Sequence, residues 1–382
     1  MGAVFSLIVL VSSQAVTFGT PARDTPVAFR VMEDGTFGVV LQSYDSGEMF
    51  YSIVEIIGNQ AEITRLDTGL EELAWTRGCA WLTDDSFAMQ AASWQTIEDH
   101  CQLQVYMDSN VPYKTVRYPV SGSLSSGPGE VSSVLPLPGD EGYFLTVDLL
   151  DPEEYSILQK ILMRLTPTAE VIWSAEVLVE GWYMNPDEIR AMPDGGCVVA
   201  SDEDGFSPLL HLSRFDEDGN LLWNVQLDTE GEMEHQVMDI LPAPEEGTLV
   251  IASTDLFQMN FNTMIVMIDR EGNIQSNEIL PSEENLKCAC GISLGRGGFL
   301  LAGWTGIEAE MGMSRPEVTP VLIKLDPEGR YVDMQILEGV DIFTEPRFME
   351  KSGNSFYIAG ACWQSQENDD LDCFVMETVP EI

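Results

Sequence analysis

The chain has 382 residues, of which 45% are hydrophobic and 9% aromatic, a composition typical of a folded protein rather than a disordered chain. Its 63 acidic residues outnumber 18 basic residues and give a formal charge of −45 at pH 7. Such a surface repels nucleic acid and anionic lipid, so we expect neither as a partner, and it favours cations or basic proteins.

An apolar run, AVFSLIVLV, occupies residues 3–11 and is followed by Ser12-Ser13-Gln14-Ala15. The run is too short to span a bilayer, but an apolar stretch followed by small residues is typical of a secretory signal peptide. No Lys or Arg precedes it, so a buried first strand is the alternative. We predict a signal peptide over residues 1–15, export of the chain and no transmembrane segment.

Seven similar strands recur along the rest of the chain, each after a polar or glycine-bearing turn. A repeat of about fifty residues with four short strands is typical of a β-propeller blade. These strands begin at Phe37, Phe87, Tyr143, Cys197, Leu249, Phe299 and Phe356.

The seventh repeat stops after its third strand, near residues 372–378. We predict that residues 16–24 supply the missing outer strand, because closing the ring removes an exposed sheet edge. The sequence therefore predicts an all-β fold: a seven-bladed β-propeller of four-stranded antiparallel blades, closed by an N-terminal strand. Residues 16–382 are expected to form this single domain.

The third and fourth strands carry a recognisable motif. Residues 212–223 read LSRFDEDGNLLW, and Trp173 holds the final position in the preceding repeat. This segment resembles the L-x-x-x-D-x-x-G-N-x-x-W repeat of bacterial propellers of the quinoprotein-like and WD40-like type. Five repeats lack the tryptophan, and quinone enzymes of this type usually have eight blades. The resemblance therefore implies the fold and no activity.

Arginine recurs in the innermost strands. Their alignment places Arg30, Arg190 and Arg347 in one repeat position of the first, fourth and seventh repeats. Converging guanidinium groups bind carboxylates or phosphates, so these residues form the candidate ligand-binding set. The alternative is a structural role, in which each arginine neutralises acids between the blades.

A second resemblance concerns the same residues. Phe-Arg-Val-Met at residues 29–32 resembles the F-R-I-P segment of sialidases, and residues 43–47 match the S-x-D-x-G core of their Asp-box. Sialidases hold a substrate carboxylate with three arginines, so the resemblance implies a hydrolase centred on the channel. Met32 replaces the proline, the box occurs once and sialidases have six blades, so this activity is an alternative only.

Acidic residues crowd the predicted loops between second and third strands. In a propeller these loops share one face with the connections between blades, and calcium prefers six to eight oxygen ligands. A calcium-binding adhesion propeller is therefore a further alternative, and a plain solvated acidic face is its competitor. The candidate calcium ligands are Asp202, Asp204, Asp369, Asp370 and Asp372.

Seven cysteines leave at least one thiol unpaired within the chain. Cys362 and Cys373 flank one hairpin loop and are the predicted disulfide pair. Cys197 and Cys290 are predicted to be buried free thiols.

Together these patterns predict an exported, monomeric, non-catalytic propeller with an acidic loop face. Propellers bind at a face or at the channel mouth, because loops from every blade converge there on a rigid scaffold. The expected partner is a protein, a small molecule or a glycan.

Overall fold

Seven antiparallel β-sheets follow one another along the chain and form the blades of a β-propeller, as predicted. The computed structural model describes residues 10–12, 15–20, 22–45, 48–58, 60–68, 79–90, 100–107, 112–119, 129–137, 141–150, 157–177, 188–202, 209–228, 235–254, 262–281, 285–307, 317–337, 344–363 and 371–380.

The strands are numbered in chain order, and two short 3-10 turns occur at Pro244–Glu246 and Gly295–Gly297. The first fourteen strands are β1 Leu10–Ser12, β2 Val16–Phe18, β3 Arg23–Val31, β4 Phe37–Asp45, β5 Glu48–Ile57, β6 Gln60–Arg65, β7 Cys79–Thr83, β8 Ser86–Gln90, β9 His100–Met107, β10 Pro112–Pro119, β11 Gly129–Pro136, β12 Tyr143–Leu150, β13 Ile157–Leu165 and β14 Val171–Val177. The others are β15 Glu188–Ala191, β16 Cys197–Asp202, β17 Leu209–Phe215, β18 Leu221–Asp228, β19 His235–Pro242, β20 Thr248–Thr254, β21 Asn262–Ile268, β22 Ile274–Ile279, β23 Leu286–Ser293, β24 Phe299–Ile307, β25 Glu317–Leu325, β26 Tyr331–Ile336, β27 Thr344–Ser352, β28 Ser355–Trp363 and β29 Leu371–Pro380.

Each group of four strands from β3 to β26 forms one blade, numbered 1 to 6, and β27–β29 belong to blade 7. The position of a strand in its blade sets its burial. Every residue of β20, a second strand, is buried, whereas five of the six residues of β22, an outermost strand, are exposed. Second strands such as β20 pack on both faces, so their sequences are largely apolar without alternation.

Two tryptophans of the repeat motif connect neighbouring blades. The indole Nε1 of Trp173 in blade 3 donates to the main-chain oxygen of Glu217 in blade 4, at 2.9 Å. The indole Nε1 of Trp223 in blade 4 donates to the main-chain oxygen of Arg270 in blade 5, at 3.1 Å. These two hydrogen bonds connect the outer strands of blades 3 and 4 to turns of blades 4 and 5.

The N-terminal segment closes the ring, as predicted. Both β1 and β2 pair with β29, and Val16 lies opposite Val375. The predicted closing strand was too long, because Arg23 already belongs to β3 of blade 1. Cleavage after Ala15 would remove β1 and leave β2, which would still close the ring. The fold is therefore compatible with either a cleaved or an intact N-terminus, and the signal peptide stays a prediction. In the part of the chain that the structure describes, no helix is long and apolar enough to cross a bilayer.

The predicted disulfide is wrong. In the β28–β29 ladder Cys362 lies opposite Asp372, and Cys373 lies opposite Ala361. Because successive residues of a strand point to opposite faces, the two thiols face opposite sides of blade 7. Cys362 packs towards blade 6 and Cys373 towards blade 1, so their Cβ atoms point apart.

The prediction for the other two cysteines is confirmed. Cys197 and Cys290 are buried free thiols. Burial raises the pKa of both thiols well above the usual range, so they remain protonated at neutral pH.

Candidate functional site

Strand pairing identifies the repeat position that Arg30 occupies in the innermost strands. Arg30 lies opposite Gly38, Arg190 opposite Val198, and Glu350 opposite Tyr357. In each of these three blades the paired residue directly follows the first residue of the repeated second strand, which is Phe37, Cys197 or Phe356. Glu350 is therefore the blade 7 counterpart of Arg30 and Arg190.

Arg347 does not share that position. It lies at a β-bulge between Pro346 and Phe348, three residues before Glu350. An Arg-x-Met triplet common to the three strands produced the sequence alignment. Arg347 lies nine residues before Phe356, however, whereas Arg30 and Arg190 lie seven residues before Phe37 and Cys197, so the pairing registers differ.

The side chains at the shared position make hydrogen bonds to the next blade. Arg30 Nε donates to Asp84 Oδ1 of blade 2 at 2.8 Å, and its guanidinium also reaches the main-chain oxygen of Leu82. Arg190 of blade 4 pairs with Asp239 of blade 5 and donates from Nε to the main-chain oxygen of Ile240 at 2.6 Å. Both arginines therefore connect adjacent blades.

Asp239 links three blades. Besides its ion pair with Arg190, its Oδ2 accepts a hydrogen bond from the main-chain N–H of Gly291 in blade 6, at 2.8 Å. Burial opposes the charge of Arg190, but the Asp239 carboxylate outweighs burial and raises the pKa of Arg190 above its ordinary value. Arg190 therefore stays charged at any physiological pH.

Glu350 connects the last blade to the first. Its Oε2 accepts a hydrogen bond from the main-chain N–H of Val31 at 2.8 Å. Burial raises the pKa of Glu350 to about 7, although the Val31 hydrogen bond and the charges of Arg30 and Arg190 oppose the rise. Repulsion from Asp84 adds to it. This carboxyl group therefore titrates near neutral pH.

The third predicted arginine, Arg347, forms its ion pair within its own strand rather than with the next blade. Arg347 Nη2 is 3.5 Å from Oε2 of Glu345, two residues earlier in the same strand. The structure thus pairs the three predicted arginines with three different acids in blades 2, 5 and 7. This arrangement supports the structural alternative, and their role as a ligand-binding set stays a prediction.

The predicted calcium ligands fall mostly in loops that lie outside the described residues. Asp204, Asp369 and Asp370 are among these, and Asp202 ends β16. Asp372 is described, and its side chain is buried beside Gly19. Across the described ranges, no three His, Cys, Asp or Glu residues are grouped so as to hold a metal ion. The calcium site stays a prediction.

The face of the propeller opposite to the predicted acidic loops carries two cavities that were not predicted from the sequence. We call it the turn face, because hairpin turns joining first to second and third to fourth strands form it. Its described turns comprise residues 32–36, 84–85, 166–170, 192–196, 216–220, 243–247, 269–273, 294–298, 326–330 and 353–354.

The first cavity, of about 500 Å³, lies where blades 1 and 2 meet. Its described lining contains five carboxylates and a single guanidinium, that of Arg30. Hydrogen bonds from the hydroxyl and amide groups of Thr36 lower the pKa of Asp34, so that this carboxylate is charged. We call this space the acidic cavity. The carboxylates are those of Glu33, Asp34, Glu55, Asp84 and Asp85.

The second cavity, of about 510 Å³, lies among the turns of blades 4, 5 and 6. Four prolines line it, and Glu245 and Arg296 are the charged residues in its lining. We call it the proline cavity. The prolines are Pro193, Pro242, Pro244 and Pro327.

Comparison with known proteins supports the fold and goes no further. No protein-family model and no curated protein sequence matches the chain. A protein of unknown function from Dyadobacter fermentans has a TM-score of 0.54 at 10% identity, covering 96% of this chain and 99% of that one. YCF48 bound to D1 peptide has a TM-score of 0.51 at 10% identity, covering 97% and 96%.

An enzyme is also similar in structure. Prolyl oligopeptidase B from Galerina marginata has a TM-score of 0.51 at 11% identity, covering 93% of this chain and 51% of that one. At such identities the likeness establishes a propeller architecture and leaves the activity of this chain open.

Proposed function

We propose that this chain is a non-catalytic, exported binding module that receives a cationic protein segment on its turn face. The observation that carries the proposal is the acidic cavity between blades 1 and 2. Five carboxylates line it, and its one guanidinium is engaged by Asp84 at 2.8 Å.

The charge of this cavity selects the ligand. Glu33, Asp34 and Asp85 are exposed, so their carboxylates are available to a ligand. Lys and Arg side chains would offset their repulsion and form charge-assisted hydrogen bonds. The overall charge of −45 would also steer a basic partner towards the protein and repel an acidic one.

The contacts of the arginines support binding over hydrolysis. A hydrolase that holds a substrate carboxylate needs guanidinium groups directed at one point. Arg30 and Arg190 instead donate to Asp84 and to the Asp239 region of the next blades.

A charge-matched pair of variants tests the proposal. The cavity variant combines Glu33→Gln, Glu55→Gln and Asp85→Asn, and it spares Asp84, which engages Arg30. The control combines Glu62→Gln, Glu176→Gln and Glu278→Gln, three exposed residues on the outermost strands β6, β14 and β22. Both variants lose the same number of negative charges.

Binding is measured by fluorescence anisotropy with a labelled dodecapeptide of alternating lysine, glycine and serine. We expect the cavity variant to bind about tenfold more weakly and the control within about twofold of the unchanged protein. Affinity should fall as the NaCl concentration rises. Equal weakening in both variants would mean that the peptide responds only to net charge, and the proposal would fail.

A further inference from the structure

We propose that the proline cavity binds a large apolar side chain of the same cationic segment, so that the partner is recognised at two points on the turn face. This inference rests on the proposed function and adds the chemistry of the second contact.

The two cavities lie on the same face and on opposite sides of the channel. Turns that join first to second strands line both cavities, in blades 1 and 2 for one and in blades 4 to 6 for the other. Pro327 adds a turn between the third and fourth strands of blade 6 to the second cavity. In a ring of seven blades, blade 5 lies across from the boundary between blades 1 and 2. A single extended segment crossing the channel mouth can therefore contact both cavities.

Proline gives the second cavity its chemistry. Pro193 of blade 4, Pro242 and Pro244 of blade 5, and Pro327 of blade 6 contribute apolar rings and no backbone N–H donor. Its volume of about 510 Å³ is typical of a small-ligand pocket. An aromatic or long aliphatic side chain is the group that such walls accept, and such residues commonly anchor protein interfaces.

The walls are fixed before a partner arrives. Glu245 and Glu246 have φ values of 56° and 63°, a left-handed conformation that residues other than glycine rarely adopt. The hairpin is closed by a hydrogen bond from Ala243 N to Gly247 O at 2.9 Å. A preformed pocket loses little conformational entropy on binding.

A buried arginine also donates a hydrogen bond to this hairpin. Arg214 is almost fully buried, and its Nη2 lies 2.7 Å from Oδ2 of Asp194 in the blade 4 turn. Its Nη1 reaches the main-chain oxygen of Glu246 in the blade 5 turn at 3.4 Å. Blades 4 and 5 therefore present their halves of the cavity in a fixed relation.

The outer rim extends the apolar surface in this sector. The fourth strands of blades 3 to 6 begin with exposed apolar residues directly after turns of the same face. Their exposures range from 38% to 52%. Exposed apolar residues therefore lie beside the acidic turns of this face at blades 3 to 6, which is complementary to a basic segment with an apolar anchor. The rim residues are Val171, Ile172, Leu221, Leu222, Ile274, Tyr331 and Val332.

The test uses the full chain and an array of labelled dodecapeptides in a glycine–serine background. Each peptide carries two adjacent lysines and one tryptophan, and the spacing between them is varied. We expect affinity to be highest over a limited range of spacings between the lysines and the tryptophan. At that spacing, replacing the tryptophan by alanine should weaken binding about tenfold, as should replacing the lysines by glutamate.

Variants assign the tryptophan to its cavity. Ser293 lines the proline cavity, so Ser293→Trp should fill it and abolish the preference for a tryptophan peptide over its alanine counterpart. Ser174→Trp, at an exposed residue of β14, is the matched control and should keep that preference. Pro327→Ser, which removes one apolar wall, should reduce the preference if Ser293→Trp fails to fold.

Each outcome is decisive. Binding that needs lysine but is indifferent to tryptophan would overturn this inference and leave the proposed function standing. A tryptophan preference that survives both Ser293→Trp and Pro327→Ser would also overturn it. If no peptide binds, both the inference and the proposed function fail.

Discussion

The ring of Trp223 in blade 4 covers Gly272 in blade 5 so closely that a Cβ at position 272 would lie 2.8 Å from the indole. Gly272 has a φ of 88°, in the left-handed region that favours glycine. The indole also donates to the main-chain oxygen of Arg270. Turn conformation and packing between blades therefore both require glycine here.

Gly272→Ala is expected to lower the free energy of unfolding by about 2–3 kcal/mol, through backbone strain and overpacking against the indole. Gly35→Ala isolates the strain, because Gly35 has a φ of 83° and open space where its Cβ would lie. It should cost about 1 kcal/mol. In a Trp223→Leu background the cost of Gly272→Ala should approach that value. Urea unfolding measures all of these, and equal costs for Gly35→Ala and Gly272→Ala would refute the packing argument.

Asp239→Leu is expected to destabilise the protein by about 3 kcal/mol or more, because it leaves Arg190 and the Gly291 N–H without their buried acceptor. The double variant Asp239→Leu, Arg190→Leu should recover part of that loss, since no guanidinium is then left unpaired. Glu271→Leu removes an exposed partner of Arg270 and serves as the control, for which we expect little change. Simple additivity of the two leucine substitutions would contradict a direct interaction.

Glu350→Gln is expected to stabilise the protein at alkaline pH and to change little in acid. The folded pKa of about 7 exceeds the ordinary value of 4.5, so the folded state holds the proton more tightly than the unfolded chain. Between these values, rising pH ionises the unfolded chain first and stability falls. The cost is complete above the folded pKa, and glutamine removes it while keeping an oxygen for the Val31 N–H.

The measurement is the difference in unfolding free energy between the two proteins from pH 4 to pH 9. Taking the difference cancels the titration of the many other acids. We expect a gain of roughly 1–3 kcal/mol above pH 7 and almost none near pH 4. A gain that is constant across the range would assign the effect to packing rather than to the proton.

Salt is expected to raise the melting temperature, because it screens the self-repulsion of a chain with a charge of −45. Sodium, magnesium and calcium chlorides at matched ionic strength separate screening from a specific site. A saturable increase seen only with calcium would assign the ion to the predicted ligands, and it should then disappear in Asp202→Asn, Asp369→Asn. Equal melting temperatures in the three salts would refute the calcium prediction.

The sequence was sufficient to predict the blades, their number and the closing strand, because turns and apolar runs recur at a nearly constant interval. It was insufficient for register wherever a strand is apolar on both faces. Leu249 was aligned with Phe299, yet it packs towards blade 6, whereas Phe299 packs back towards blade 5. A strand that reads Thr-Leu-Val-Ile-Ala offers no alternation from which to choose between the two faces.

The candidate site was harder to predict than the fold. The acids at Glu33 and Asp85 and the prolines at Pro193 and Pro244 are visible in the sequence as turn residues. These residues converge because neighbouring blades pack against each other, and no local sequence pattern predicts that packing. Similarly, the shared Arg-x-Met triplet concealed the different register of Arg347, which lies nine residues before Phe356, whereas Arg30 lies seven residues before Phe37.

Closure of the ring also shapes how the chain reaches its fold. Val16 pairs with Val375, so the final blade is completed by residues separated by nearly the whole chain, whereas the other blades form from local hairpins. Bringing such distant segments together carries a large loop-closure entropy and slows folding. A circular permutant that joined the present ends and opened the chain between blades 3 and 4 would make this pairing local and transfer the slow step to the new seam.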